Sequence, residues 1–198
     1  QDMKDAEAMA KDLGIDYETI EIGDLVEAVY KKRPSVGPKE CRLAYANVKP
    51  RVRMIMNYFA ANLDGRIVLG TGNKTELLMG YFTKYGDGGV DILPIADLYK
   101  TRVRQMARHV GVPEPIIKKA PSAGLWAGQT DEAEMGATYE EIDSVLYSVF
   151  DLGMSLDRVE RATGVDDGII KMVMEQVKIS EHKRNMPPIV GFEPAVNA

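Results

Sequence analysis

Apolar residues recur with two different periods along the first half of the chain. At 2–13, and again from about 40 to 63, they return every three or four residues, which predicts amphipathic helices. Residues 17–22 instead alternate like a strand, and residues 67–69 form a wholly apolar run that suits a parallel strand buried on both faces. The basic segment 31–39 contains proline and glycine and is expected to be an exposed connector.

From residue 138 onward the pattern is helical throughout. Thr138 and Glu141 have the spacing of a capping box, in which two side chains accept hydrogen bonds from the backbone at a helix start. Strands that alternate with helices and are followed by helices alone predict an α/β sheet with a helical C-terminal part at about 138–186 and a tail at 187–198. We expect the 198 residues to form a single domain.

Small and polar residues follow the apolar run 67–69 immediately. Residues 70–73 read Gly-Thr-Gly-Asn, and a helix with Glu76 in its early turns comes next. Ligands of open α/β sheets bind just beyond the carboxyl ends of the strands. The glycines allow close approach to the backbone, Thr71 can donate to a phosphate, and Glu76 can hold a hard cation that bridges phosphate oxygens. An acid that simply favours the positive end of the helix explains Glu76 equally well.

A second polar loop at 83–91 places Lys84 and Asp91 around three glycines. This loop is either an exposed turn, in which Asp-Gly pairs are common, or a contact for the charged parts of one ligand. Lys100 lies near the start of the next helix, where a cation opposes the helix dipole and is easier to explain beside a bound phosphate. The cations of 182–184 lie near a helix end that favours them without any ligand.

Composition and charge narrow the classes of partner. A formal net charge of −5 argues against nucleic acid, because nucleic-acid-binding proteins usually carry a basic face. The region 157–184 resembles a helix-turn-helix in its pattern, but its acids and bases balance at six each. The single cysteine, Cys41, excludes an internal disulfide and is typical of a cytoplasmic protein. No apolar run is long enough to span a bilayer, so we expect no membrane partner.

The segment 70–101, GTGNKTELLMGYFTKYGDGGVDILPIADLYKT, closely resembles the signature of the ammonia-dependent NAD synthetase family. Further matching segments lie at 47–53, 121–126, 128–132 and 181–184. The resemblance covers most of the chain, to about residue 188. It implies a Rossmann-like adenine-nucleotide α-hydrolase fold, in which a parallel sheet is flanked by helices and followed by a helical C-terminal part, and it implies a homodimer.

The resemblance also assigns ligands to individual residues. The family's ATP contacts are matched by Thr71, Lys100 and Ser122, and its magnesium ligand is matched by Glu76. The family's contacts to deamido-NAD are matched by Arg51, Lys84, Asp91, His182 and Lys183. No side chain is assigned as a catalytic acid, base or nucleophile. From its position alone, Ser122 would be a turn residue, and His182 and Lys183 would only interact with the helix dipole. The resemblance implies instead that all three contact a ligand.

The activity that the resemblance implies is the ATP-dependent amidation of deamido-NAD to NAD, with Mg²⁺ as cofactor. The nicotinate carboxylate attacks the α-phosphorus of ATP, pyrophosphate leaves, and ammonia then displaces AMP from the acyl adenylate. The protein contributes mainly positioning and the neutralisation of clustered anions. Because no cysteine-centred glutaminase site can be assembled from this chain, free ammonia is the expected nitrogen donor.

One departure from the family pattern concerns the pyrophosphate loop, Ser-Gly-Gly-x-Asp-Ser. In the family it lies in the first βα unit, ahead of the segment that matches Gln1, and its Asp is the second metal ligand. We therefore expect an N-terminally truncated synthetase whose sheet lacks a central strand and whose catalysis is impaired. Two alternatives stay open: another ATP pyrophosphatase of the GMP synthetase-like kind, and an inactive fragment that binds nucleotide or only dimerises.

Overall fold

The computed structural model describes residues 2–32, 40–126 and 128–191. Within these ranges the helices are, in chain order, α1 (Asp2–Asp12), α2 (Gly23–Lys31), α3 (Arg42–Ala46), α4 (Val48–Asp64), α5 (Lys74–Met79), α6 (Lys100–His109), α7 (Glu114–Ile117), α8 (Asp131–Met135), α9 (Tyr139–Leu146), α10 (Leu156–Thr163), α11 (Asp167–Ile179) and α12 (Glu181–Arg184). A π-helical segment, Tyr147–Asp151, follows α9 directly. Most of the predicted connector and tail, 33–39 and 192–198, lies outside the described residues. No helix of the described part is long and apolar enough to cross a membrane.

Parallel pairing in the described part of the chain is confined to a bridge between Leu69 and Ile92. Beside it, Asp91 donates its backbone N–H to Val68 O at 3.0 Å. Val68 is buried, but Ile67 and Leu69 are 65% and 61% exposed. The prediction that this run is buried on both faces is therefore wrong for the described residues.

The alternating segment 17–22 forms no strand, so that prediction is also wrong. Tyr17 and Ile20 within it are exposed. A strand is stabilised by hydrogen bonds to a neighbouring strand, and among the described residues this segment has no such neighbour. The predicted parallel sheet is thus represented only by the bridge at Leu69.

The helix predicted at about 40–63 is divided in two at Asn47, between α3 and α4. Pro50 falls in the first turn of α4, where a missing N–H costs little because such groups have no partner within the helix. The helix ends at Gly65, whose φ of +64° is the left-handed conformation that glycine adopts without strain. Pro50 therefore stands at the start of the regular helix and does not kink it.

The hydrophobic core gathers around α9. This helix begins with the predicted capping box of Thr138 and Glu141, which is confirmed. Its inward residues are fully buried, namely Tyr139, Ile142, Val145 and Leu146. Helices α5, α6, α10 and α11 all pack against it. Because α5 begins two residues before Glu76 and α6 begins at Lys100, this core supports both the predicted magnesium ligand and a predicted ATP contact.

The helix that follows Thr138 changes form after Leu146 and continues as the π-helical segment through Asp151. There Asp151 Oδ1 accepts from Lys74 Nζ at 2.8 Å, and Oδ2 accepts from Tyr99 OH at 2.5 Å. π-helical turns are often found at functional sites. In this one, Asp151 links the starts of α5 and α6.

Candidate functional site

The turn after the apolar run packs tightly against the chain that follows it. A Cβ atom at Gly70 would lie 2.6 Å from Leu93 Cδ2 and 2.7 Å from Val90 Cγ2. Neither distance is compatible with a real side chain. A side chain at position 70 would displace Leu93 and Val90, so Gly70 lets residues 90–93 pack against this turn, whereas the sequence pattern predicted that it admits a ligand.

Glu76 and Lys100, predicted to contact magnesium and ATP, form an ion pair. Glu76 Oε1 lies 2.9 Å from Lys100 Nζ, and the two side chains are 17% and 20% exposed. Glu76 Oε2 accepts from Asn73 N at 3.1 Å, and Asn73 Oδ1 accepts from Glu76 N at 3.0 Å. This is a capping box at the start of α5. Glu76 Oε2 thus accepts a hydrogen bond at the start of α5, and Oε1 faces the Lys100 ammonium.

The donor set at Glu76 bears on the predicted metal. In the described part of the chain, no three His, Cys, Asp or Glu side chains are grouped so that they could hold an ion by themselves. Magnesium, however, is usually held by one or two carboxylates and completes its coordination with water and substrate phosphates. Glu76 Oε1 could therefore serve as a single carboxylate ligand of magnesium, provided that Lys100 Nζ leaves the carboxylate and contacts a phosphate.

A cavity of about 580 Å³ opens where α4, the loop at 80–90 and α12 meet. It is lined by five of the predicted ligand residues, Arg51, Thr71, Lys84, His182 and Lys183. Four of the predicted residues lie outside its lining, namely Glu76, Asp91, Lys100 and Ser122. The structure thus collects the predicted deamido-NAD cations in one concave surface, although they are far apart in the sequence.

Hydrogen bonds connect Arg51 to Lys84, and Lys84 to α12. Arg51 Nε and Nη2 donate to Lys84 O at 3.4 and 3.5 Å. Lys84 Nζ in turn donates to His182 O and, at 3.5 Å, to Asn185 O. In these hydrogen bonds the acceptors of Arg51 and Lys84 are neutral backbone carbonyls and not carboxylates.

Lys183 holds α12 against the end of α5. Its Nζ donates to Gly80 O at 2.7 Å and to Phe82 O at 3.0 Å. Burial lowers the pKa of Lys183, and only Asp87 nearby opposes that shift. The close approach requires glycine at position 80, because φ there is +65° and a Cβ would lie 2.2 Å from Ser180 Cβ.

Asp91 and Ser122 form hydrogen bonds with other groups of the protein. Asp91 Oδ2 accepts from Val68 N at 2.7 Å, and its Oδ1 accepts from Tyr58 OH at 3.0 Å. Ser122 Oγ accepts from Gly124 N at 3.1 Å, as in an ordinary serine turn. Both side chains stabilise loops, and their assignment to substrates stays a prediction.

Comparison with known proteins identifies the family. The NAD synthase family model matches residues 1–187. The chain belongs to the NAD synthase family. It is 51% identical to an NH3-dependent NAD+ synthetase of Archaeoglobus fulgidus, over 96% of this chain and 71% of the relative. It is 48% identical to the enzyme of the same name from Methanococcoides burtonii, over 97% and 72%.

Two solved structures of the family resemble this one. The NMN synthetase from Francisella tularensis has a TM-score of 0.83 at 38% identity, covering 97% of this chain and 74% of that one. The NH3-dependent NAD synthetase from Campylobacter jejuni, in complex with a nitrate ion, has a TM-score of 0.76 at 28% identity, covering 96% and 72%. The overall fold is therefore that of NAD synthetases, and this chain spans roughly three-quarters of each relative.

This NAD synthase family member also carries a hydrogen-bonded cluster that the sequence analysis missed. Tyr81 OH donates to Glu134 Oε2 at 2.7 Å, and Gln129 Nε2 donates to the same oxygen at 2.8 Å. All three residues line the 580 Å³ cavity. Burial and the neighbouring carboxylate hold the pKa of the Tyr81 phenol above its ordinary value. Tyr81 and Gln129 lie in segments that matched the family and Glu134 does not, so the sequence did not indicate that the three side chains meet.

The loop at 121–126 is attached to α3 and α4. The Arg42 guanidinium lies 3.7 Å from the centroid of the Trp126 ring, and Lys49 Nζ donates to Leu125 O at 2.9 Å. Leu125 and Trp126 both line the cavity, so these contacts position one of its walls. The segment 121–126 matched the family, but its contacts to Arg42 and Lys49 had no signal in the sequence.

A second cavity, of about 630 Å³, lies between α6, α7 and α8. Its lining includes four cations that are already ion-paired: Arg104 with Glu140, Arg108 and Lys118 with Glu114, and Lys119 with Asp2 and Asp5. An anion there would have to compete with these carboxylates. Arg51, Lys84 and Lys183 in the first cavity contact backbone carbonyls instead, which makes that cavity the better candidate for binding an anion.

Proposed function

We propose that this chain converts deamido-NAD to NAD, with ATP as co-substrate and ammonia as nitrogen donor. The observation that supports this most directly is the cavity in which Arg51, Thr71, Lys84, His182 and Lys183 meet, on a chain of the NAD synthase family. Arginine and lysine are the usual partners of phosphate groups, and deamido-NAD carries two of them.

The reaction proceeds in two steps. In the first, a nicotinate carboxylate oxygen forms a bond to the α-phosphorus of ATP, and the bond from that phosphorus to pyrophosphate breaks. In the second, the ammonia lone pair forms a C–N bond at the acyl carbon, the C–O bond to AMP breaks, and a proton is lost from nitrogen. Adenylation is required because a free carboxylate is a poor electrophile and its oxygen is a poor leaving group.

The side chains bind and orient the two nucleotides. Thr71, Lys100 and Ser122 hold ATP, where two hydroxyls donate hydrogen bonds and one ammonium neutralises phosphate charge. Arg51, Lys84, Asp91, His182 and Lys183 hold deamido-NAD. Bringing two polyanions into contact is unfavourable in water, so neutralisation and alignment by these groups account for most of the protein's contribution.

Glu76 would hold Mg²⁺ through Oε1, the oxygen that Lys100 Nζ now contacts at 2.9 Å. A bound Mg²⁺ would supply Lewis-acid stabilisation of phosphate charge. The chain's own contribution is the capping box with Asn73, because this box occupies the other carboxylate oxygen and leaves Oε1 to face Lys100 Nζ.

Ligand binding exchanges hydrogen-bond partners at two lysines. Lys183 Nζ now bonds only neutral carbonyls, those of Gly80 and Phe82. A phosphate oxygen is a stronger, charge-assisted acceptor, so the exchange favours the anion. At the second lysine, Lys100 Nζ moves from Glu76 to a phosphate. Loop 80–84 and α12 are therefore expected to adjust when substrate binds.

A second substrate is favoured by one specific comparison. The Francisella tularensis structure, with a TM-score of 0.83, is an NMN synthetase. The same amidation applied to nicotinate mononucleotide would form NMN, and the cations of the cavity would bind a single phosphate as well. The curated relatives at up to 51% identity are named as NAD synthetases, so deamido-NAD is the first candidate.

Three further properties belong to the proposal. The chain forms a single domain built on a Rossmann-like parallel sheet, it works as a homodimer, and it acts in the cytoplasm. Each follows from the family resemblance and from composition. Sedimentation of the purified chain would test the dimer directly.

The decisive experiment incubates the purified chain with ATP, MgCl₂, ammonium chloride and one acceptor at a time. The acceptors are deamido-NAD, nicotinate mononucleotide and xanthylate, and the products are separated by chromatography. We expect NAD and AMP in equal amounts with deamido-NAD, and no product when glutamine replaces ammonium. The variant Lys183→Ala should bind deamido-NAD more weakly, whereas Lys178→Ala, an exposed lysine outside the cavity, should match the parent chain.

Each outcome has a distinct meaning. Amidation of xanthylate would favour the GMP synthetase-like alternative, and NMN formation without NAD would assign the mononucleotide as substrate. Binding of deamido-NAD in a calorimetric titration without any turnover would identify a nucleotide-binding fragment. Absence of both binding and turnover would refute the proposed function.

A further inference from the structure

Asp143 is a buried carboxylate in the middle of the core, and the chemistry proposed above does not use it. It lies on α9 and is 5% exposed. Its Oδ1 accepts from Thr75 Oγ1 at 2.5 Å, and its Oδ2 accepts from the backbone N of Thr101 at 2.8 Å. Asp143 therefore touches the residue before Glu76 on α5 and the residue after Lys100 on α6.

The Thr75 hydroxyl completes the connection. It donates to Asp143 and accepts from the backbone N of Lys100 at 2.9 Å, and the residue is fully buried. The hydroxyl is thus used as donor and acceptor at the same time. The positions of Glu76 and Lys100 are tied together through one hydroxyl and one carboxylate.

These contacts replace the missing cap of α6. The N-cap residue of that helix, Tyr99, makes no side-chain capping hydrogen bond. The first N–H groups of a helix have no partner within it, and buried ones are costly when left unpaired. Here the N–H of Lys100 is satisfied from α5 and that of Thr101 from α9. The start of α6 is therefore placed by side chains of two other helices.

Packing alone does not explain an acid at this position. Ile142, Val145 and Leu146 around it are apolar and fully buried, and burial raises the pKa of Asp143 despite its hydrogen bonds. A buried carboxylate costs free energy that an apolar residue would not. What the carboxylate supplies is two acceptors aimed at donors on two different helices.

We propose that Asp143, acting through Thr75, is a positioning residue that sets the separation of Glu76 and Lys100 for binding of magnesium and ATP. The inference rests on the proposed function for the identity of the ligand. The present separation, 2.9 Å between Glu76 Oε1 and Lys100 Nζ, is the quantity that the two buried side chains control.

The test uses substitutions that change hydrogen bonding but little volume. Thr75→Val removes the hydroxyl and keeps the shape, whereas Thr75→Ser keeps the hydroxyl and removes a methyl group. Asp143→Leu removes both acceptors, and Asp143→Asn keeps one for Thr101 N while its amide can donate to Thr75 Oγ1. Ile142→Ala serves as the matched control, because it disturbs the same core without touching the network.

Three quantities are measured on each variant: the melting temperature, the affinity for ATP with magnesium by calorimetry, and the KM values for ATP and deamido-NAD. We expect Thr75→Val and Asp143→Leu to weaken magnesium-dependent ATP binding by about tenfold or more. Thr75→Ser and Asp143→Asn should largely restore it. The KM for ATP should rise while that for deamido-NAD changes little, and Ile142→Ala should lower the melting temperature without this selective loss.

Equal loss of ATP affinity in Ile142→Ala and Thr75→Val would overturn the positioning role and leave only a structural one. Unchanged ATP affinity in a folded Thr75→Val protein would overturn it as well. Crystal structures of the parent chain and Thr75→Val separate this failure from failure of the proposed function. A parent chain that binds no ATP refutes the function, whereas an unchanged separation of Glu76 and Lys100 in the variant refutes the positioning role itself.

Discussion

We expect the substitution Arg184→Met to lower the melting temperature by about 6–12 °C, because the guanidinium closes the ends of two helices at once. Its Nη1 donates to Leu77 O at 3.2 Å, to Leu78 O at 2.6 Å and to Ser180 Oγ at 2.8 Å. Its Nη2 donates to Val177 O at 2.6 Å. Carbonyls in the last turn of a helix have few partners within it, and Arg184 adds a charged donor to three of them at the ends of α5 and α11.

The magnitude follows from the number of carbonyls that lose a charge-assisted hydrogen bond from the guanidinium. Methionine keeps the apolar stem and removes the guanidinium, so three carbonyls lose a hydrogen bond while Ser180 keeps its other contacts. Arg184 is only half-buried, so water replaces part of each loss, and about 1 kcal/mol per carbonyl is appropriate. The total of about 3 kcal/mol corresponds to about 6–12 °C for a chain of this size.

The assay is thermal unfolding followed by circular dichroism, with Arg161→Met as the matched control. Arg161 is exposed on α10 and donates only to Asp157 O of its own helix at 3.1 Å among the bonds found, so its replacement should change stability by less than about 0.5 kcal/mol. If Arg184→Met melts within 2 °C of that control, the guanidinium does not close the two helix ends as we infer. Because α12 carries His182 and Lys183, Arg184→Met should also raise the KM for deamido-NAD.

Three further predictions concern charge. Glu76→Gln should weaken magnesium-dependent ATP turnover with little change in stability, because glutamine can still complete the capping box with Asn73; a magnesium titration of the rate measures this. Lys84→Ala should raise the KM for deamido-NAD more than that for ATP in steady-state kinetics. For Asp143, burial raises the pKa in the folded state above 3.8. The free energy of unfolding of the wild type, relative to that of Asp143→Asn, should therefore be largest at low pH and should fall as the pH rises from 3.8 through the folded-state pKa. Urea unfolding at a series of pH values measures this difference.

Each of these three has a result that would contradict it. An identical magnesium dependence in Glu76→Gln would remove the metal role. Equal changes in both KM values would show that Lys84 does not contact deamido-NAD specifically, with exposed Lys178→Ala as the control. A difference in unfolding free energy between wild type and Asp143→Asn that is constant from pH 3.5 to 6 would show that Asp143 titrates normally in the folded protein.

Local features were predictable because they depend on neighbours in the sequence. The capping box at Thr138 and Glu141 is present, and Asp166 accepts from Gly168 N at the start of α11 as its type suggests. Ser155, a residue type typical of helix starts, is the N-cap of α10 but makes no capping hydrogen bond. The motif at 70–101 identified the family for the same reason, since residue types and spacing within one segment carry it.

Elements that need a distant partner were predicted less well. The alternation at 17–22 and the apolar run at 67–69 indicated strands, yet the described residues contain only the bridge at Leu69. A strand is stabilised by a neighbour that its own residues cannot specify. The π-helical segment at Tyr147–Asp151 escaped prediction because its helical pattern resembles that of an α-helix.

By itself, the sequence determined most of the longer helices, the capping box at Thr138, the family and a set of candidate ligand residues whose roles stay predictions. Only the tertiary structure decided which of them meet, and it added groups with no local signal. Thr75 and Asp143 are 68 residues apart, and Lys183 and Gly80 are 103 apart. The physical reason is that helix ends and buried polar groups leave donors and acceptors unpaired, and the packing of distant segments decides which side chains satisfy them.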